Sequence, residues 1–119
     1  MKKTDYQLAD GILFTDEYQF TMAQLYYRMG LHERQAQFDH FFRSYPDYGT
    51  HQAGYCINAG LEWLLDYMRE VRFDDASIDL LRGQTGRTGK RRFDDDFLNW
   101  LRKNATFDAI SLSAIPEGR

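Results

Sequence analysis

Tyr18, Met22, Leu25 and Met29 follow one another at steps of four, three and four, so they share one face of a helix. Asp16 stands where an N-cap is wanted, Gln19 three residues on completes a capping-box-like pair, and Gly30 suits a left-handed C-terminal cap. The spacing predicts a helix over about residues 17–29. Beyond it the period changes from helical to alternating. Ala36, Phe38, His40 and Phe42 take the even positions, and Gln37, Asp39, Phe41 and Arg43 the odd ones. That is the pattern of a strand with one buried face, ending near Pro46. Pro46-Asp47-Tyr48-Gly49 has turn composition, and residues 53–57 form a shorter strand able to pair with the first. Asn58 is placed to cap a helix carrying Leu61, Leu64, Leu65, Met68 and Val71. A further helix begins at Asp74 or Asp75, carries Ile78 and Leu81, and ends at Gly83. Another begins in Asp94-Asp95-Asp96, with its acids at the positive end of the helix dipole, and carries Phe97, Leu98 and Leu101. Thr106 to Ser113 alternates weakly before the turn-like Pro116-Glu117-Gly118. Helices and strands interleave without a regular strand-helix-strand beat, so the expected class is α+β, with helices packed on a small, mainly antiparallel sheet.

Composition narrows the function classes. At 119 residues the chain suits a single domain, 1–119, with one core. Fifteen Lys and Arg against eighteen Asp and Glu leave a net charge of −3, which exerts no long-range pull on nucleic acid or anionic membrane. Apolar runs are only a few residues long, too short to span a bilayer, and Asp5, Gln7 and Asp10 stand where a signal peptide needs an apolar stretch. Cys56 is alone and cannot form an internal disulfide, in keeping with a reducing, cytoplasmic setting. Aromatic residues make up 16% of the chain, enough to supply a subunit interface or a ring-binding pocket besides a core.

Local motifs add little chemistry. Gly83-Gln84-Thr85-Gly86-Arg87-Thr88-Gly89-Lys90 has the look of a phosphate loop, but a Walker A motif needs glycine at position 84. With Arg87, Arg91 and Arg92 the stretch reads as a mobile basic loop between two helices. His32, His40 and His51 lack the spacing of metal ligands, and no nucleophile motif is present. Helix capping accounts for the Asp94 run.

The segment Leu13-Phe14-Thr15-Asp16-Glu17-Tyr18-Gln19-Phe20-Thr21-Met22-Ala23-Gln24 is more specific. It resembles the opening of the nicotinate phosphoribosyltransferase family, whose members begin a helix with Thr-Asp-x-Tyr-Gln-x-Thr-Met-Ala. The likeness continues in Phe41-Phe42-Arg43 with Pro46, in Ala59-Gly60-Leu61-Glu62, in Asp96-Phe97-Leu98-Asn99-Trp100-Leu101 and in Ile115-Pro116-Glu117-Gly118, so it covers nearly the whole chain. The basic glycine loop from Gly83 to Arg92 looks longer than the family's usual connection.

The resemblance implies pyridine nucleotide salvage. The family joins nicotinate to phosphoribosyl pyrophosphate, coupled to ATP hydrolysis and assisted by Mg²⁺. It implies an N-terminal phosphoribosyltransferase-type domain, followed in full members by a barrel-type domain that is absent from this chain. Full members are homodimers whose sites lie between the N-terminal domain of one subunit and the barrel of the other. On this reading the chain is the N-terminal domain, or a fragment, of such an enzyme, inactive alone and holding neither ATP nor Mg²⁺ by itself. Catalytic residues are then expected in the barrel. Three residues carry over as substrate-binding: Tyr18 matches the aromatic that stacks on the nicotinate ring, Asp16 an acid beside that ring, and Arg43 an arginine that reaches a substrate phosphate across the interface. Each also has a plainer role, as core, N-cap and surface ion-pair partner of Asp39 respectively. The Tyr18-Gln19-Phe20-Thr21-Met22-Ala23 run favours the nicotinate branch over nicotinamide and quinolinate enzymes. A non-catalytic binding or dimerisation domain of the same fold is the alternative.

Overall fold

The computed structural model describes residues 11–44, 49 and 54–119. Four helices appear among them: α1 (Glu17–Arg28), α2 (Leu61–Glu70), α3 (Asp75–Gly83) and α4 (Asp95–Asn104). α4 packs against both α3 and α1. Between them lies one core of Phe20, Phe73, Ile78, Leu81, Phe93, Phe97, Leu98 and Leu101, with Ile12, Leu13, Ala23, Tyr27, Trp100 and Ala105 packed on its edge. Aromatic rings dominate this core. Phe20 meets Phe73 at 6.1 Å and Phe93 at 6.5 Å, both edge to face, the arrangement that ring quadrupoles favour.

The helix ends follow their local chemistry only in part. Asp74 caps α3, its Oδ1 accepting the Ser77 N–H at 2.8 Å. Gly30, at φ +67°, closes α1: its N–H donates to the Tyr27 carbonyl and the Leu31 N–H to that of Tyr26, the paired bonds of a Schellman motif. Asp16 occupies the N-cap position of α1, yet its side chain makes no capping bond, so the capping box with Gln19 does not form. Nor does Asn58 cap α2. Gly60 takes that position at φ +95°, and the Asn58 Nδ2 donates instead to the Ile115 carbonyl at 2.7 Å.

The α+β expectation is overturned: no strand and no sheet occur among the described residues, and the only bridge there is the isolated antiparallel pair Thr85 and Arg91. Residues 36–43 do not form the first strand. Among the described residues their backbone makes no hydrogen bonds to other backbone groups, and Phe38, at 90% exposure, Phe41 and Phe42 all stand in solvent. Alternation sets only the direction in which side chains would point. A strand also needs an edge to pair with, because its N–H and C=O groups are satisfied by the neighbour. Among the described residues, positions 54–57 offer no such edge, and the backbone of Asn58, next along, bonds to Gly118 and Arg119. The weak alternation of residues 106–113 produces no strand either. The turn expected at Pro46-Asp47-Tyr48-Gly49 and the start of the second strand at Ala53 lie, apart from Gly49, outside the described residues.

The glycine-rich connection between α3 and α4 is a hairpin. The Gly86 N–H donates to the Lys90 carbonyl at 2.8 Å and the Arg92 N–H to the Gln84 carbonyl at 2.9 Å, while Gly89 turns the tip at φ +74°. The mobile loop expected there is therefore held by ladder bonds.

Candidate functional site

Inside α1 the sequence-defined stripe faces outward. Tyr18 is 55% exposed, and Met22, Leu25 and Met29 are exposed with it. The inward face is formed by Phe20, Ala23, Gln24 and Tyr27. Tyr27 stacks among Phe97, Trp100 and His32 at centroid distances of 5.0–5.8 Å. Gln24 is 6% exposed, and its carboxamide is bonded at both ends. Nε2 donates to the Arg92 carbonyl at 3.0 Å, and the Asp94 N–H donates to Oε1 at 2.7 Å. Two surface pairs bracket these bonds: Glu17 with Arg92, and Arg28 with Asp94, the Arg28 Nε donating to the Asp94 Oδ2 at 2.8 Å. α1 is thus fixed to the start of α4 along its whole length, with Tyr18 on the free side. The plainer assignment of Tyr18 to the core does not describe this helix.

Arg43 sits elsewhere. It lines an open cleft of about 1060 Å³ walled by residues 38–44, 54–56, 58–61 and 112–115, with Leu64. Among the described residues Arg43 forms no ion pair with Asp39 or any other carboxylate, so its guanidinium is not committed to a surface pair. Neither Asp16 nor Tyr18 lines this cleft. Asp16 and Tyr18 stand two residues apart at the start of α1, and Arg43 lies in the wall of the cleft.

Gly60 and Leu61, which line the cleft, are held by Glu117. Its two carboxylate oxygens accept the Gly60 N–H at 2.7 Å and the Leu61 N–H at 2.9 Å. Left-handed Gly60 followed by helical Leu61 points both N–H groups one way, forming a concavity suited to an anion at the positive end of α2. With the Asn58 bonds to residues 115, 118 and 119, this clasp fastens the Pro116-Glu117-Gly118 turn to the Ala59-Gly60-Leu61 turn. Two of the family-like motifs therefore meet in space.

Electrostatics at the hairpin are local. The Arg91 guanidinium donates to Asp95 from both terminal nitrogens, and together with Arg82 it holds the Asp95 carboxyl at a pKa of about 2. The same pair raises Arg91 above its ordinary value. Among the described residues no group of three or more His, Cys, Asp or Glu could hold a metal ion. His32 stacks between Tyr27 and Trp100 and His40 against Phe42, while His51 is outside the described residues.

Gln24 and Glu117 are the positions that sequence reasoning missed. The signal for Gln24 was a polar residue one turn after Phe20 and one turn before Tyr27. For Glu117 it was a carboxylate in a turn, with a glycine-led helix start elsewhere in the chain.

Residues 13–118 match the family model described as the nicotinate phosphoribosyltransferase (NAPRTase) N-terminal domain. The chain is 39% identical over 74 residues to a nicotinate phosphoribosyltransferase of Bacillus subtilis (strain 168), covering 62% of the chain and 14% of that protein. It is 36% identical over 91 residues to nicotinate phosphoribosyltransferase pncB2 of Mycobacterium tuberculosis (strain ATCC 25618 / H37Rv), covering 76% of the chain and 17% of the relative. It is 34% identical over 106 residues to nicotinate phosphoribosyltransferase 2 of Arabidopsis thaliana, covering 89% and 17%. The chain therefore spans 14–17% of the length of these relatives. No solved structure matches it significantly.

Proposed function

Because the chain belongs to the nicotinate phosphoribosyltransferase family, as its N-terminal domain, we propose that it supplies one wall of a nicotinate-binding site whose remainder lies in a barrel-type domain of a second subunit. The observation that carries this reading is the exposure of Tyr18 at the head of an outward apolar stripe on α1. A phenol held there by a rigid helix offers its face to a flat heteroaromatic ring, and an offset stack is worth roughly 0.5–1.5 kcal/mol beyond the area it buries. The stripe of Met22, Leu25 and Met29 gives a second subunit apolar surface to cover, and interface cores are rich in such residues. Asp16 lies beside Tyr18 with its side chain free of a capping bond, open to a polar edge of the substrate. Arg43 is suited to a phosphate of phosphoribosyl pyrophosphate or of ATP, since a guanidinium grips two phosphate oxygens in one plane.

The whole enzyme would form nicotinate mononucleotide and pyrophosphate, with ATP hydrolysis coupled, in the cytoplasm as a homodimer. No helix among the described residues is long and apolar enough to cross a membrane. Among the described residues no group of three or more His, Cys, Asp or Glu gathers to hold Mg²⁺, so its ligands would come from the rest of the enzyme. In the full enzyme, Tyr18→Ala should raise the KM for nicotinate more than Tyr18→Phe does, because the stack needs the ring and not the hydroxyl. Equal effects of the two substitutions, or none, would refute the reading.

A further inference from the structure

We infer that Gln24 is a positioning residue: its buried carboxamide, bonded at both ends to the backbone of the α3–α4 connection, sets the roll of α1 and turns Tyr18 outward. The inference rests on the shared-site reading and adds to it the residue that presents the ring.

Two faces of α1 compete for the core. One carries Tyr18, Met22, Leu25 and Met29; the other carries Phe20, Ala23, Gln24 and Tyr27. Apolar area alone favours burying the first face, which has four large apolar side chains, over the second, which includes an alanine and an amide. The second face is nevertheless inside. What distinguishes it is polar and directional. The Gln24 amide meets a carbonyl at residue 92 and an N–H at residue 94, one on each side of Phe93, itself 1% exposed. Rolling the first face inward would strip both backbone groups of their partner next to the core, and an unsatisfied buried group costs more than a made bond gains. The ion pairs Glu17 with Arg92 and Arg28 with Asp94 act in the same direction, but they are solvent-exposed and correspondingly weak. Gln24 is the buried member of the set, so the roll depends on it.

The test uses hydroxyl-radical footprinting of the 119-residue chain, reading Met22 and Met29 against Tyr27. The unsubstituted chain should label both methionines readily and Tyr27 slowly, with the Asp94 amide protected in hydrogen exchange. Labelling of Tyr27 ahead of the methionines, or rapid exchange of the Asp94 amide, overturns the inference without any variant. Gln24→Ala removes both bonds and should lower the methionine-to-tyrosine ratio several-fold. Gln24→Glu keeps an acceptor for the Asp94 N–H and should fall between the two, and it serves alone if the alanine variant does not fold. A merely structural role predicts a lower melting temperature with an unchanged ratio, and that result overturns the inference. In the full enzyme, Gln24→Ala should raise the KM for nicotinate by about two- to twelve-fold, the loss of a ring stack converted to affinity, and leave the KM for phosphoribosyl pyrophosphate unchanged. A changed footprint with an unchanged nicotinate KM would overturn the shared-site reading while the roll of α1 by Gln24 stands.

Discussion

Removing the Tyr18 ring should cost the chain almost no stability, whereas removing the Phe97 ring should nearly unfold it. Fully burying a large apolar side chain is worth about 1.5–3 kcal/mol. Tyr18 is 55% exposed, so its truncation forfeits less than half of such a burial, about 1 kcal/mol at most. Alanine returns up to about 0.7 kcal/mol as the better helix former, which leaves a net loss within about 0.5 kcal/mol. Phe97 is 0% exposed and packed between Tyr27 at 5.8 Å and Phe93 at 6.2 Å. Its truncation opens a cavity and should cost about 3–5 kcal/mol, a large share of the 5–15 kcal/mol that holds a typical domain folded. At roughly 4–8 °C per kcal/mol, Tyr18→Ala should move the melting temperature by under about 4 °C and Phe97→Ala by at least about 12 °C. Urea and thermal denaturation followed by far-ultraviolet circular dichroism, at low protein concentration, measure both. A loss above about 1.5 kcal/mol for Tyr18→Ala would refute the reasoning, because only an inward-facing ring produces it.

Two further outcomes follow from the charges. The folded-state pKa of Asp95, near 2, lies below its ordinary 3.8, so its contribution is complete above about pH 3.8 and is lost as pH falls through about 2. Asp95→Asn should flatten the acid limb of the stability–pH curve in that window, and an unchanged limb would show that the Arg91 pair is not formed in solution. Arg43→Lys should leave the melting temperature unchanged and impair use of phosphoribosyl pyrophosphate or ATP when each is varied separately, since an ammonium cannot make the planar two-point contact. Unchanged kinetics for both substrates would remove Arg43 from the site.

Much of the helical organisation was legible because its signals are local. The spacing of Ile78 with Leu81, and of Phe97 with Leu98 and Leu101, named faces that are buried, and Asp74 and Gly30 cap α3 and α1 as their chemistry dictates. Contacts distant in sequence were not legible. The Glu117 carboxylate reaches Gly60 and Leu61 across more than fifty residues, and Gln24 reaches residues 92 and 94 across about seventy. No period marks either, because each is a single polar atom meeting a backbone group. Of the proposed site, Tyr18 and Asp16 stand two residues apart at the start of α1. Arg43 came from the same resemblance but lies in the wall of the cleft.

Two of the failures of pattern reading share one physical cause. Alternation over residues 36–43 and the stripe of Tyr18, Met22, Leu25 and Met29 are both genuine apolar periods, yet both lie in solvent among the described residues. A period reveals that a face is apolar, and burial is then assigned to whatever the same chain can supply. Here the buried volume is already filled by Phe20, Phe73, Phe93, Phe97 and the leucines of α3 and α4, so a second apolar face on α1 has nothing left to pack on. The polar anchor at Gln24 decides which face goes in, and the surplus face remains for a partner. Relatives more than four times as long have the chain to cover it. On the shared-site proposal, an exposed stripe headed by Tyr18 is what such a domain should show before its partner covers it. Joining the 119 residues to the rest of such an enzyme should protect Met22 and Met29 from radical labelling, and persistent labelling of both would show that the stripe faces no partner.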